Sequence, residues 1–409
     1  MNPPILEFYP DVPNDALQAA WDLVSKNTPH YEAPFFMEPY MHVNVQEIKK
    51  FCDPFLAKGL KNIIVLGTGG SIQTLIALQY FASRRIIPLT SSRPSELKEA
   101  LKTTTPKDSV VVPISRGGET LDINSPISLF KNYPMIALAA RGAMFDLVKS
   151  LNAVIMDVPD LSGRFAGGCT NVGIIPAYLA GIKVQEFLDG TAAGYKLYTP
   201  KNSMTQNAAL KFAAFLFYLH EKGFTNVFSM PYSRRLEGTV GLFVQEISES
   251  SGKRGKGLLG TSQPAPLCQH SVLELILGGK RNHSLPLLWE LRTDPDNLAL
   301  DSTLPTLRGR TALDVIRYQA DATFEAILAQ GIPAAKVTIE APTEGNIGQL
   351  IAFIQSAVYY FCLMLDVNWA DNPMVLTGKK ICNEAMARNL TDAQRRTNRE
   401  KIIQEKKLH

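Results

Sequence analysis

Gln245 and Glu249 stand four residues apart, so on a helix they share one face, and a carboxylate held there beside an amide can take and return a proton. That helix should end just beyond, where Ser250-Ser251-Gly252 supplies a residue able to take positive φ. A glutamate in the last turn meets the negative end of the helix dipole. The dipole favours its protonated form and moves it toward the strength a general base needs. Glu246 reads instead as a solvated residue of an acidic helix, and Lys253 follows directly after the glycine. Beyond a Gly/Pro-rich stretch comes Gln269-His270-Ser271, whose imidazole can move a second proton.

Two upstream loops have the composition of anion cradles: Gly67-Thr68-Gly69-Gly70-Ser71, and Ser115-Arg116-Gly117-Gly118-Glu119-Thr120. Glycine lets backbone N–H groups approach an anion, and the helix that follows offers its positive end. A dinucleotide site would need an acidic residue about 20 positions on to hold a ribose, and Ile72 to Ser95 contains none, so a compact phosphate fits better. Taken singly, Ser71 and Ser115 also fit as helix N-caps. In Ser162-Gly163-Arg164-Phe165 the arginine reads either as a guanidinium aimed at a ligand or as a surface salt bridge.

The elements that must carry these loops follow from hydrophobic patterning. Residues 62–66, 85–89, 109–114, 135–139 and 153–156 are short apolar runs without polar alternation, separated by helical stretches such as 72–82. Such runs belong to a parallel sheet covered on both faces, whose ligands sit beyond the C-terminal strand ends. A helical region over 170–189 and a linker over 190–202 follow. A second α/β unit then opens with a helix to Lys222 and a strand over 226–230, and an apolar helix after Gly345 closes it. The expected fold class is α/β, with two doubly wound, flavodoxin-like parallel-sheet domains with helices on both faces. Residues 1–45 form an N-terminal arm with little periodicity, 46–202 the first domain, 203–345 the second, and 346–409 C-terminal helices and a polar, basic tail.

The 409 residues are 45% hydrophobic and 20% charged, an ordinary soluble globular composition with ample core. A net charge of +4 can help attract an anionic metabolite but is no nucleic-acid footprint. Five scattered cysteines without a CxxC pair argue against a disulfide framework or zinc knuckle and fit a reducing cytoplasm. No secretory leader is visible at Met1-Asn2-Pro3-Pro4, and Ile351–Val367, interrupted by Gln355 and Ser356, reads as a buried helix rather than a bilayer span. No His/Asp/Glu cluster suits a divalent metal, and no cofactor is expected.

Together these motifs resemble the glucose-6-phosphate isomerase family, proteins of two sugar-isomerase (SIS) domains. The Gln-x-x-x-Glu-Ser-x-Gly-Lys motif stands at Gln245, Glu249, Ser250, Gly252 and Lys253, and Gln-His-Ser at Gln269, His270 and Ser271. Gly-Gly-Ser matches Gly69, Gly70 and Ser71, and Gly-Arg-Phe matches Gly163, Arg164 and Phe165, so the resemblance spans roughly 59–380. The chain departs from the family at Gly117, where a hydroxyl is lost, and at Glu119, an acid in the place of a threonine beside a dianion. If Glu119 faced the phosphate it would weaken binding, unless Arg116 paired with it. The family's C-terminal signature survives only as Pro373-Met374-Val375-Leu376-Thr377-Gly378-Lys379, with Lys379 on the catalytic lysine, Lys380 as a substitute, and Asn372 in the place of a glutamine.

The resemblance implies interconversion of glucose 6-phosphate and fructose 6-phosphate in glycolysis and gluconeogenesis. It assigns ring opening to His270 with Lys379, and proton transfer through a cis-enediolate to Glu249. Arg164 would stabilise charge, and Gly70, Ser71, Ser115, Arg116, Thr120 and Gln245 would bind substrate and phosphate. It also implies a cytoplasmic homodimer in which His270 enters the neighbouring subunit's site, with no metal, nucleic acid or membrane. Another sugar phosphate, such as mannose 6-phosphate, is kept open by Gly117 and Glu119. A non-catalytic sugar-phosphate sensor would need no general base.

Overall fold

The apolar runs become strands in two five-stranded sheets. The computed structural model describes residues 2–33, 36, 43–139, 141–158, 165, 167–202 and 206–407. In chain order the elements are β1 (Ile5–Tyr9), α1 (Asn14–Asn27), α2 (Val45–Leu56), β2 (Asn62–Leu66), α3 (Gly70–Leu78), β3 (Arg85–Leu89), α4 (Pro94–Thr103), β4 (Ser109–Ser115), α5 (Leu121–Ile127), β5 (Ile136–Ala139), α6 (Gly142–Ser150) and β6 (Val154–Met156). Then follow α7 (Asn171–Leu179), α8 (Val184–Leu197), α9 (Ala208–Glu221), β7 (Asn226–Pro231), α10 (Arg234–Ser251), β8 (Leu259–Ser262), α11 (Leu273–Gly278), β9 (Ser284–Leu291), α12 (Ala312–Ala329), β10 (Ala334–Ile339), α13 (Glu344–Met364), α14 (Val375–Ala387) and α15 (Asp392–Lys407). Residues up to Trp369 form one unit and 370–409 a second.

The first sheet runs β3-β2-β4-β5-β6 with every pairing parallel, and the second runs β1-β10-β9-β7-β8. Strands β2 and β4 are buried along their whole length, as unalternating apolar strands must be when helices cover both faces. Numbered within itself, the first sheet has the doubly wound order 2-1-3-4-5, and the four parallel strands of the second, β7 to β10, have the order 2-1-3-4, so the expected architecture is present twice without a repeated sequence.

In the second sheet, however, the fifth place is taken by β1, which pairs antiparallel with β10 from Ile5↔Thr338 to Tyr9↔Ala334. The segment read as an arm of little periodicity thus supplies a strand. Its alternating exposure is that of an edge, and Glu7 reaches Lys336 of β10 at 3.0 Å.

The expected linker over 190–202 is mostly helix: α8 runs to Leu197. Gly190 and Gly194 look like punctuation in sequence but lie against the backbone of α13, at Gly345 and Gln349. The helical region read as continuous over 170–189 is broken instead at Gly181, between α7 and α8. Helix α13 is apolar and long enough to cross a membrane, yet it is wholly buried within the protein.

Four of the five cysteines are buried and Cys382 is exposed, all as free thiols. Burial pushes the thiols of Cys52 and Cys169 up to about 12 and that of Cys268 up to about 11, so none forms appreciable thiolate near neutrality. A disulfide-exchange reagent at pH 8 should therefore label one thiol per native chain quickly and all five after unfolding. Cys382→Ser should remove the fast phase.

Candidate active site

In a doubly wound sheet the strand order reverses between the first and third strands, and ligands bind in the crevice that opens there. In the first sheet those strands are β2 and β4, paired in parallel from Asn62↔Ser109 to Leu66↔Pro113. Both anion-cradle loops leave from these neighbouring ends. Gly69 (φ +58°) precedes α3 in a conformation that suits glycine, so the chain turns sharply and α3 begins at Gly70, with Ser71 in its first turn. Ser115 ends β4 and is buried; its Oγ accepts the Gly118 N–H at 3.1 Å and donates to Thr120 Oγ1 at 3.2 Å. Neither serine is an N-cap, since Gly69 and Thr120 hold those places.

Glu119, within this loop, turns its carboxylate to the neighbouring α6. Its Oε1 accepts the Ala143 N–H at 2.9 Å, at the positive end of α6, where a carboxylate is favourably placed. Gly118 permits this packing: at φ +70° it lies against the Arg141 carbonyl, where a Cβ would collide. Its own carbonyl accepts from Met144 N at 3.0 Å and Asn124 Nδ2 at 2.8 Å, fixing the loop to α5 and α6.

The second sheet positions Gln245 and Glu249. Helix α10 begins at the C-terminal end of β7, with the Ser233 hydroxyl accepting from Arg235 N, and runs alongside α3. Close approach is possible because Gly238 meets the backbone at Ile76 and Gly241 faces Gln73. One turn further on, Gln245 Nε2 comes to 3.1 Å from where a side chain on Gly69 would start. The same Nε2 donates to Glu249 Oε2 at 2.9 Å, so the amide orients the carboxylate while lying against the first glycine loop. Glu249 is half-buried. A carboxylate is thus bonded to an amide that lies against the first glycine loop, although helix and loop belong to different sheets.

Two readings of this helix need correction. Glu246 is not solvated: it is 1% exposed and accepts from Gln355 Nε2 at 3.0 Å, and that glutamine is also bonded by the buried Tyr195 hydroxyl. Facing α13, Glu246 fixes the rotation of α10 that turns Gln245 and Glu249 toward α3. Gly252 does not take positive φ either. It sits at φ −71°, and a Cβ there would lie 2.8 Å from the Ser248 carbonyl.

The helix end is held instead by Lys253, whose Nζ donates to the carbonyls of Ser250 at 2.6 Å and Glu249 at 3.4 Å, and to Asn368 at 2.6 Å. Lys253→Met, similar in length but without donors, should cost roughly 1.5–3 kcal/mol of stability, as for lost hydrogen bonds to a charged group. Thermal unfolding measures that loss. With Glu249 in a looser turn, kcat should fall more than KM rises.

Arg164, with Ser162 and Gly163, lies outside the described residues. Its neighbour Phe165 is buried and packs edge-on against Trp369 at 4.5 Å between centroids, one residue beyond the Asn368 that Lys253 holds. His270 is exposed at the end of a short 3-10 turn, Leu267–His270. Gln269 anchors that turn, its Nε2 donating to Thr323 Oγ1 at 2.6 Å and Tyr232 OH at 2.8 Å. These two anchors carry no motif signal and were missed in the sequence. The paired glycines of α10, three residues apart on one face, were a legible sign of a close helix crossing. Lys379 lies exposed on α14 in the C-terminal unit, as does Lys380. Among the described residues no cluster of three or more His, Cys, Asp or Glu could hold a metal ion.

No protein-family model matches the chain. The glucose-6-phosphate isomerase of Methanocaldococcus jannaschii is 25% identical over 340 residues, covering 79% of this chain and 84% of that protein. That of Mycoplasmopsis pulmonis is 26% identical over 368 residues, covering 82% and 85%. The crystal structure of a glucose-6-phosphate isomerase from Chlamydia trachomatis superposes with a TM-score of 0.80 at 17% identity, covering 97% of this chain and 91% of that one, and so shares the fold.

Proposed function

From a chain that is a sequence relative of the glucose-6-phosphate isomerases, we propose an enzyme that interconverts glucose 6-phosphate and fructose 6-phosphate. The observation that carries this reading is the approach of Gln245, and with it Glu249, to the Gly69-Gly70-Ser71 loop. That approach supports reading Glu249 as a proton carrier and the loop as a phosphate anchor, the two parts an aldose–ketose isomerase needs.

The phosphate is held by Ser71, Ser115 and Thr120 and by the N–H groups of the two loops, with Gly70 and Arg116 beside them. This remote grip fixes the reacting carbons, so binding energy is spent on position. His270 and Lys379 move the proton that opens the ring. Glu249 then takes the proton from C2 of the aldose, leaving a cis-enediolate whose charge Arg164 offsets, and returns it to C1 as the carbonyl re-forms at C2. No electrons leave the substrate: carbon C1 is reduced as C2 is oxidised, and no redox partner is consumed. The exposure of His270 supports its service in the neighbouring subunit's site of a homodimer. The pathway role that follows is in glycolysis and gluconeogenesis.

Gly117 and Glu119 keep a different sugar phosphate open as a second reading, and the engagement of the Glu119 carboxylate by Ala143 supports glucose 6-phosphate as far as Glu119 is concerned. The test is incubation with fructose 6-phosphate in heavy water without added metal. Glucose 6-phosphate should form with solvent deuterium at C2, read by NMR. Binding of fructose 6-phosphate without any conversion would leave a sugar-phosphate sensor.

A further inference from the structure

We infer that the second sheet carries its own ligand site, for a small anion that also bears hydroxyl groups. The site is a cavity of about 220 Å³ at the C-terminal ends of β7 and β9. Those two strands are neighbours, joined from Asn226↔Ser284 to Pro231↔Trp289, and the strand order reverses between them. The cavity therefore occupies in the second sheet the place that the glycine loops occupy in the first. Its volume is below the roughly 300–1,000 Å³ of sites for drug-sized ligands, which points to a small metabolite.

The chemistry of the lining selects the ligand. Ser233 and Arg234 open α10, an 18-residue helix whose positive end faces the cavity. Arg317 of α12 brings a second guanidinium. Asp294 and Asp296 also line it and share the single guanidinium of Arg235, which offsets one of their two charges, leaving Arg234, Arg317 and the helix end to outweigh the other. An anionic group fits this end.

Independently, Glu290, the last residue but one of β9, has a side chain more than nine-tenths buried that lines the same cavity. Its Oε1 accepts from Thr338 Oγ1 at 2.8 Å and lies 3.9 Å from Lys336 Nζ. Its Oε2 is buried and has no hydrogen-bond partner among the described residues. A buried carboxylate oxygen left unpaired is costly and rare, and a ligand hydroxyl donating to it would remove the cost. An anionic head on the guanidinium side and a hydroxyl on the Glu290 side describe a hydroxylated phosphate or carboxylate. This inference does not rest on the proposed isomerase reaction.

The test is calorimetric titration of the full-length protein with glycerol phosphate, which carries both groups. Two binding events per chain are expected. Arg317→Ala, a helix-compatible change at a partly exposed position, should weaken one of them at least roughly tenfold, as for a lost charged hydrogen bond. Ser115→Ala should weaken the other. Glu290→Gln should weaken the event that Arg317→Ala affects, whereas inorganic phosphate, lacking the hydroxyls, should sense Arg317→Ala and not Glu290→Gln. One event weakened by Arg317→Ala alone still supports this site and counts only against the first. Binding untouched by Arg317→Ala overturns it, and equal effects of Glu290→Gln on both probes overturn the role given to Oε2.

Discussion

Glu249→Gln should leave folding and sugar-phosphate affinity close to those of the parent protein while turnover falls by at least about 10²–10⁴-fold. The substitution keeps the shape of the side chain, and its remaining carbonyl oxygen can still accept from Gln245 Nε2, which now bonds Glu249 Oε2 at 2.9 Å. The surrounding helix is fixed by contacts that do not involve this carboxylate: Glu246 to Gln355 on one face and Lys253 at its end. What disappears is a group able to accept a proton from carbon. The measurement is single-turnover conversion alongside a binding titration with fructose 6-phosphate. Parent-like turnover would remove Glu249 from the proposed mechanism, and weakened binding alone would make it a substrate ligand.

Mixing two inactive proteins should produce an active one. If His270 serves the neighbouring subunit, a dimer of one Glu249→Gln chain and one His270→Ala chain contains one site with both defects and one with neither. After unfolding and refolding together in equal amounts, half of the dimers are mixed, so activity should return to about a quarter of the parent value. If Glu249 and His270 of the same chain serve one site, every site in the mixture is defective and no activity returns. Each variant refolded alone provides the baseline.

How much of this was legible depends on whether the determining contacts are local. The run Asn62–Leu66 followed by its glycine loop announces a buried parallel strand and a sharp glycine turn into a helix, because both the apolar run and the turn are encoded within ten residues. The shared face of Gln245 and Glu249 follows from helical spacing alone. Glu246 was misread because the partner that makes its burial tolerable, Gln355, lies on another helix far along the chain. Residues 190–197 passed for a linker because glycine signals a break in isolation but a seat for a neighbouring helix in context. Gly252 was read from its capacity for positive φ, whereas Lys253 already satisfies the helix end. The anchoring of Gln269 by Tyr232 and Thr323 joins three segments that no local pattern connects.

The strand Ile5–Tyr9 finishes a sheet whose other members all come from residues 226–339. This strand must therefore wait for the last strand of the sheet, far along the chain, before its backbone groups are paired. Closing so long a loop is slow. Until it closes, Ala334–Ile339 presents a bare apolar border on which a second unfinished chain can add. Removing the first ten residues should thus show itself in refolding yield and aggregation before it shows in catalysis.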